Sequence, residues 1–352
     1  MQKVLVAMSG GVDSSVAAAY LKDKGYEVIG LTFIMFSQGS NLSQKDKQAV
    51  NDAKDVAEQI GIEHYTSNIT KEFQETIIND FINQYKQART PNPCVICNRK
   101  IKFNFLLDKV QDFNADYMGT GHYVRIEHNS NINNRQLLKK AKYSNKDQSY
   151  MLYRMSQKQL KNSLFPMGDF SKDQIRAMAK NYNLEIHDKP DSQDICFIED
   201  NNYIDFLEKQ DKNVGKPGPI MDLEGNKLGE HDGLHHYTIG QRRGLGISKP
   251  YPLYVVELDS ENNAVIVGKN DDVFRNSFNV INPNWIYYEK LEEPIIVDCK
   301  IRYNSSAKKA AVYPEEENYK VVFKDQQRAI TPGQSAVFYR NDYVIGGGII
   351  KK

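Results

Sequence analysis

The spacing of apolar residues divides the chain into two unlike parts. Early on, Lys3–Met8 is a continuous apolar run of strand length, Val16–Asp23 predicts a helix stopped at Gly25, and Tyr26–Met35 is a second β-rich run. Ala49, Ala53, Val56, Ala57 and Ile60 fall on one helical face closed by Gly61, and Phe73, Ile77, Ile78, Phe81 and Tyr85 fall on another. Ala115–Gly119 predicts a further short strand. Strands alternating with helices of this length make βαβ units, hence an α/β fold with a mostly parallel sheet covered on both faces.

The period changes after about Gln210. Asp211–Pro219 is dense in glycine and proline and predicts a boundary. Tyr254–Leu258 and Ala264–Val267, separated by Asp259–Asn263, predict a hairpin. Pro294–Tyr303, Lys309–Tyr313, Tyr319–Phe323, Ser335–Tyr339 and Tyr343–Ile350 predict further strands, with Pro332-Gly333 as a turn. Such a tail of about 80 residues makes a small β-barrel or sandwich.

Composition narrows the class. With 352 residues, 40% hydrophobic and 26% charged, the chain is globular, and at roughly 150 residues per domain it holds two or three domains. No apolar run approaches the roughly 20 residues of a membrane span, and the N-terminus lacks a signal-peptide pattern. Four cysteines in so long a chain fit a reducing compartment, so a cytoplasmic location with no membrane partner is expected. Lys and Arg number 46 against 45 acids, a net charge of +1, which excludes a uniformly basic coat and leaves room only for a local patch.

Ser9-Gly10-Gly11-Val12-Asp13-Ser14-Ser15 sits where the first strand meets its helix. The glycines allow a tight turn, the helix start offers unpaired N–H groups, and the serines add hydroxyls: a phosphate or pyrophosphate site. Neither G-x-x-x-x-G-K-[ST] nor G-x-G-x-x-G is present there, so the loop is not of the Walker or dinucleotide type. A second segment, Thr90–Phe103, carries Cys94 and Cys97. Its prolines oppose helix before Cys94, and the run after Cys97 predicts a helix start, which with Arg99 and Lys100 would lower the Cys97 pKa. From Phe81 to Leu107 there are five basic residues and no acid, and Arg125, Arg135, Lys139, Lys140, Lys142 and Lys146 extend this patch toward a polyanion. A lone C-x-x-C also fits half a zinc site, a redox pair or part of an iron–sulfur site, although no second ligand pair accompanies it. Cys196 follows 99 positions after Cys97, and Cys299 reads as a packing residue. His235-His236 invites a metal reading, but neighbouring side chains on a strand point apart, so no metal site is expected there.

The heptapeptide resembles the signature of the PP-loop ATP pyrophosphatases, which adenylate a substrate oxygen and release pyrophosphate. Taken with TPNPCVICNRKIKF, GTGHY, KDQSYML, LFPMGD, DSQDICFI, HHYTIGQRRGLGI, Ile301-Arg302-Tyr303 and TPGQSAV, the whole chain resembles the tRNA-specific 2-thiouridylases. The resemblance implies a Rossmann-like PP-loop domain over 1–210, a small β-rich central domain over 211–270 and a tRNA-contacting C-terminal β-barrel over 271–352. It implies ATP with Mg²⁺ on Ala7, Met8, Ser9, Gly10, Gly11, Val12, Asp13, Ser14, Phe33 and Gly121, and tRNA at Asn92, Pro93, Cys94, His122, Lys146, Asp147, Gln148, Arg302, Tyr303 and Gln334. Cys97 takes the family's nucleophile position and Cys196 that of the persulfide carrier, charged by a cysteine desulfurase or a sulfur-relay protein, with a disulfide between them closing the cycle. Cys94 departs from the aspartate of many members: it is either a tolerated cysteine beside a persulfide site or the third ligand of a [4Fe–4S] cluster.

Overall fold

The strand Lys3–Ala7 (β1) is apolar through its middle because it is the central strand of a sheet covered on both faces. The computed structural model describes residues 1–38, 41–128, 134–190, 195–198 and 202–351. Parallel to β1 lie Glu27–Ile34 (β2) on one side and Tyr117–Gly119 on the other, with Glu63–Asn68 and Ser163–Leu164 as the edges. The first helix, α1, spans Val12–Asp23, four residues earlier than its apolar pattern suggests, so the serine-rich heptapeptide forms its first turn. The stripe Ala53, Val56 and Ala57 is buried on α2 (Gln44–Ile60), which Ser43 caps by accepting from the Asp46 N–H at 3.0 Å.

Phe73, Ile77, Ile78, Phe81 and Tyr85 lie on a helical run from Thr70 to Lys86 that widens to a π-helix over Gln74–Ile78. They form one apolar cluster with Cys97, Ile101, Phe197, Ile198 and Leu207. Phe197 meets Phe73 and Phe81 edge-on, with centroids 5.7 and 5.4 Å away. The ring next to Cys196 therefore anchors that loop beside the Cys97 segment. Asp191–Asp194, which precede it in the motif, lie outside the described residues.

A four-stranded sheet follows in the order Lys227–His231, Gly218–Met221, Ala264–Gly268, Tyr254–Asp259, the last two being the expected hairpin. Leu234–His236 is a 3₁₀ turn rather than a strand, so the argument that His235 and His236 must diverge does not hold. The tail is a closed six-stranded barrel: Phe274–Trp285, Tyr319–Arg328, Lys308–Pro314, Ile295–Lys300, Ser335–Arg340 and Tyr343–Lys351, with the first strand also pairing to the last. Cys299 packs inside it. Val337, Tyr339 and Val344 share an apolar cluster with Leu5, Leu106, Tyr150 and Tyr153, and Tyr150 donates to the Ser335 carbonyl at 2.8 Å. The barrel is thus joined to the parallel-sheet unit through a common core. No described helix is long and apolar enough to cross a membrane.

Candidate active site

The loop after β1, Phe33 near the end of β2 and Gly121 after Tyr117–Gly119 all lie toward the carboxyl ends of adjacent parallel strands, where open α/β sheets bind ligands. Gly11 caps α1 without a side-chain bond, so the first-turn amides remain for a ligand. Ser14 Oγ accepts from the Ser9 N–H at 3.1 Å and donates to the Gly11 carbonyl at 3.1 Å, and the hydroxyl of Ser9, an exposed residue, lies 3.3 Å from it. Gly10 has φ +68°, and a Cβ there would stand 2.6 Å from the Ala49 carbonyl oxygen. A Cβ at Gly121 would stand 2.6 Å from both the Asp13 carbonyl carbon and the Ser14 nitrogen, so the two loops meet backbone to backbone.

Two lysines that sequence reasoning passed over also reach this loop. Lys172 Nζ lies 2.7 Å from Asp13, which also accepts from Tyr123 Oη at 2.6 Å. Lys189 Nζ donates to the Gly10 carbonyl at 2.8 Å and pairs with Asp52. Neither lysine stands in a recognisable spacing relative to the glycines; only the fold delivers them. Together they offer an anionic ligand two cations beside the helix terminus.

The three thiols of the sequence motifs share one charged neighbour, Lys102. Pro93 takes the first position of the short helix Pro93–Cys97, so Cys97 ends this turn instead of starting one. The chain continues through a π-helical segment, Asn98–Lys102, into the helix Phe103–Asp112. The expected thiolate-stabilising helix start is therefore absent, and burial pushes the Cys97 thiol up to about 12 rather than down. Cys94 and Cys196 are also raised, first by the surrounding protein. Lys102, not Arg99 or Lys100, is the cation that faces all three and opposes the rise. Burial pulls the Lys102 ammonium down, yet the three facing sulfurs outweigh it and leave its pKa raised. Lys102 and burial, burial being the larger cause, also hold His122 near a pKa of about 3, a neutral ring 2.8 Å from Thr120 Oγ1. All four cysteines are free; Cys97 is buried, Cys94 half-buried and Cys196 exposed to solvent although protein surrounds it.

The expected tRNA contacts divide into groups. Asn92, Pro93 and Cys94 lie on the turn that carries Cys97, and His122 shares Lys102 with the thiols, whereas Gln334 next to the barrel strand Ser335–Arg340 donates to the Thr90 carbonyl at 2.8 Å and so holds the same segment. Tyr303 Oη reaches the Asp147 carbonyl at 3.4 Å, and Arg302 donates to the Ala329 carbonyl. The Asp147 carboxylate accepts from Ala141 N–H and Ser149 Oγ, and Gln148 accepts from the Tyr123 N–H at 2.9 Å. The extension of the basic patch is corrected: Arg125 pairs with Asp342 at 3.0 Å, Arg135 donates to the Ile286 and Trp285 carbonyls, Lys139 faces Glu127 and Asp342, and Lys140 donates to the Asn341 carbonyl. Those four cations fasten the barrel to Val124–Lys140 instead of forming a free polyanion surface.

Comparison with known proteins gives the following. Residues 2–200 match the tRNA methyl transferase HUP domain, residues 204–269 the tRNA methyl transferase PRC-barrel domain and residues 275–350 the aminomethyltransferase β-barrel domain. The tRNA-specific 2-thiouridylase MnmA of Halothermothrix orenii is 55% identical, with 100% of this chain and 99% of the relative covered. Relatives of the same name are 50% identical in Thermoanaerobacter sp., covering 99% of this chain and 98% of that one, and 46% identical in Acetivibrio thermocellus, covering 99% of each. Among solved structures, a 4-thiouridine synthetase–RNA complex with bound ATP aligns with TM-score 0.36 and 18% identity over 60% of this chain and 51% of that one, too loosely to bear on chemistry.

Proposed function

Because this chain belongs to the tRNA-specific 2-thiouridylase family, we propose that it uses ATP to replace O2 of the tRNA wobble uridine with sulfur. One observation carries the reading at the level of residues: an exposed thiol, Cys196, and a buried one, Cys97, are brought by the fold to a single cation, Lys102, across 99 positions of sequence. A sulfur carrier must be reachable by its donor, and the thiol that resolves it must be shielded until needed. These two differ in that sense.

In this mechanism the first-turn amides of α1, Ser9, Lys172 and Lys189 hold the ATP phosphates. Asp13 and Asp52, the carboxylates paired with those lysines, would be the residues to hold Mg²⁺, which when bound would neutralise phosphate charge. O2 of the uridine attacks the α-phosphorus and pyrophosphate leaves. The outer sulfur of a Cys196 persulfide then attacks C2, AMP departs, and the base is joined to Cys196 through a disulfide. The Cys97 thiolate attacks the Cys196 sulfur, forming the Cys97–Cys196 disulfide and releasing 2-thiouridine. A dithiol reductant reopens that disulfide, and a cysteine desulfurase or relay protein restores the persulfide. The alternative order, in which Cys97 first frees sulfide that then attacks C2, ends at the same disulfide.

AMP and pyrophosphate should form in equal amounts only when unmodified tRNA is supplied, and nucleoside mass spectrometry should detect 2-thiouridine once a sulfur donor is added. Release of AMP without tRNA, or with no thiolated product, would defeat the reading. For the loop, Gly121→Ala is expected to weaken ATP binding at least about tenfold, or 1.4 kcal/mol, because the new methyl meets backbone that cannot swing aside. Equilibrium titration with ATP checks it, and unchanged affinity would remove Gly121 from the site.

A further inference from the structure

We propose that Glu208, His235 and His236 form a binding site for a divalent transition metal, with the donor set of Zn²⁺, that clasps the helix Tyr203–Gln210 to the central sheet unit. Glu208 Oε1 lies 3.2 Å from Nε2 of His235 and 3.2 Å from Nε2 of His236. Among the described residues this is the one group of three or more His, Cys, Asp or Glu whose ligand atoms all lie within 4.8 Å of one another. Two consecutive histidines converge because Leu234–His236 is a 3₁₀ turn, which brings their ring centroids to 4.2 Å. Zinc bonds of about 2.0–2.1 Å at tetrahedral angles space neighbouring ligand atoms about 3.3–3.4 Å apart. The two glutamate–histidine contacts are within about 0.2 Å of that edge, and the third side of the triangle is no longer than 4.8 Å.

The packing around the pair holds one ligand in place. His235 is 3% exposed, wedged against Gly215 and Gly233, and its Nδ1 is buried with no partner. His236 is half-buried and Glu208 exposed, so a fourth position opens to water. The clasp also bears on the thiol site, since Phe206 of the same helix packs on Phe197 at 5.2 Å, next to Cys196. An ion here would steady the wall behind the sulfur carrier without touching the reacting atoms.

The test uses the full-length, tag-free chain carrying Cys94→Ser, Cys97→Ser and Cys196→Ser, so that those thiols hold no metal. After chelator treatment, one equivalent of Zn²⁺ should bind and raise Tm, and Co²⁺ should give tetrahedral visible bands without a thiolate charge-transfer band. Adding Glu208→Gln, or separately His236→Ala, should remove the bound equivalent and the Tm shift while circular dichroism stays that of the parent. A folded parent that binds no metal overturns the proposal, and so does binding that survives in both variants.

Discussion

Cys196→Ser protein is expected to lose 2-thiouridine formation by at least about 10³-fold, the scale on which covalent nucleophiles act, while still releasing pyrophosphate and leaving the adenylated uridine on unmodified tRNA. The split follows from geometry. Cys196 stands between Ile195 and Phe197, which pack in the cluster that holds Phe81, whereas the proposed phosphate contacts are α1, Ser9 and the two lysines. Cys97→Ser should fail differently: sulfur reaches C2 but remains linked to Cys196, so an added dithiol rescues product in this variant and not in Cys196→Ser. Position 94 separates persulfide from cluster. A persulfide enzyme tolerates Cys94→Ser with modest loss, whereas a three-cysteine [4Fe–4S] site loses its ligand and its activity together. Iron and sulfide analysis after anaerobic reconstitution gives the same decision independently. Full 2-thiouridine from Cys196→Ser would refute the carrier role outright.

Much of this site was readable from the sequence because its chemistry is concentrated in short runs. A glycine pair, an acid and two serines at a strand-to-helix junction need no tertiary information to suggest a phosphate. What failed were inferences that depend on whether a group is paired or on where a turn begins. The prolines before Cys94 read as helix breakers, yet Pro93 is favourable at the first helical position, and this moved Cys97 from the start of a turn to its end. Arg125, Arg135, Lys139 and Lys140 read as a polyanion surface, since sequence does not show that Asp342 and the carbonyls of Trp285 and Ile286 stand opposite them. The strand Phe274–Trp285 escaped notice for another reason. It carries many polar residues, and it breaks register between Ile281 and Asn284, where Asn282 takes φ +49°, so no clean period of two survives. Lys172 and Lys189 are surface-like in sequence and reach the loop only through the packing of α1 with the helix Lys172–Asn181 and the turn after it.

Lys102→Met should slow thiolation at least about tenfold at neutral pH, the effect of one unit in thiol pKa, without weakening ATP binding. The sign follows from the direction of each shift. Burial raises the pKa of all three thiols, and Lys102 is the group that opposes this at each of them. With burial raising the Cys97 pKa to about 12, its thiol is protonated at neutral pH, so a rate limited by that thiolate should climb with pH through the alkaline range. Without the ammonium, every thiol pKa rises further and the profile moves to higher pH, leaving a deficit that is largest at neutral pH and narrows as pH increases. Lys102→Arg retains the charge and should restore much of the rate. Iodoacetamide alkylation of Cys196, the exposed thiol, reads the same effect directly: its pH profile should move upward in Lys102→Met and stay near the parent in Lys102→Arg. Identical profiles in parent and Lys102→Met would show that the cation does not govern these sulfurs, and its place at the centre of the cysteines would then be one of packing alone.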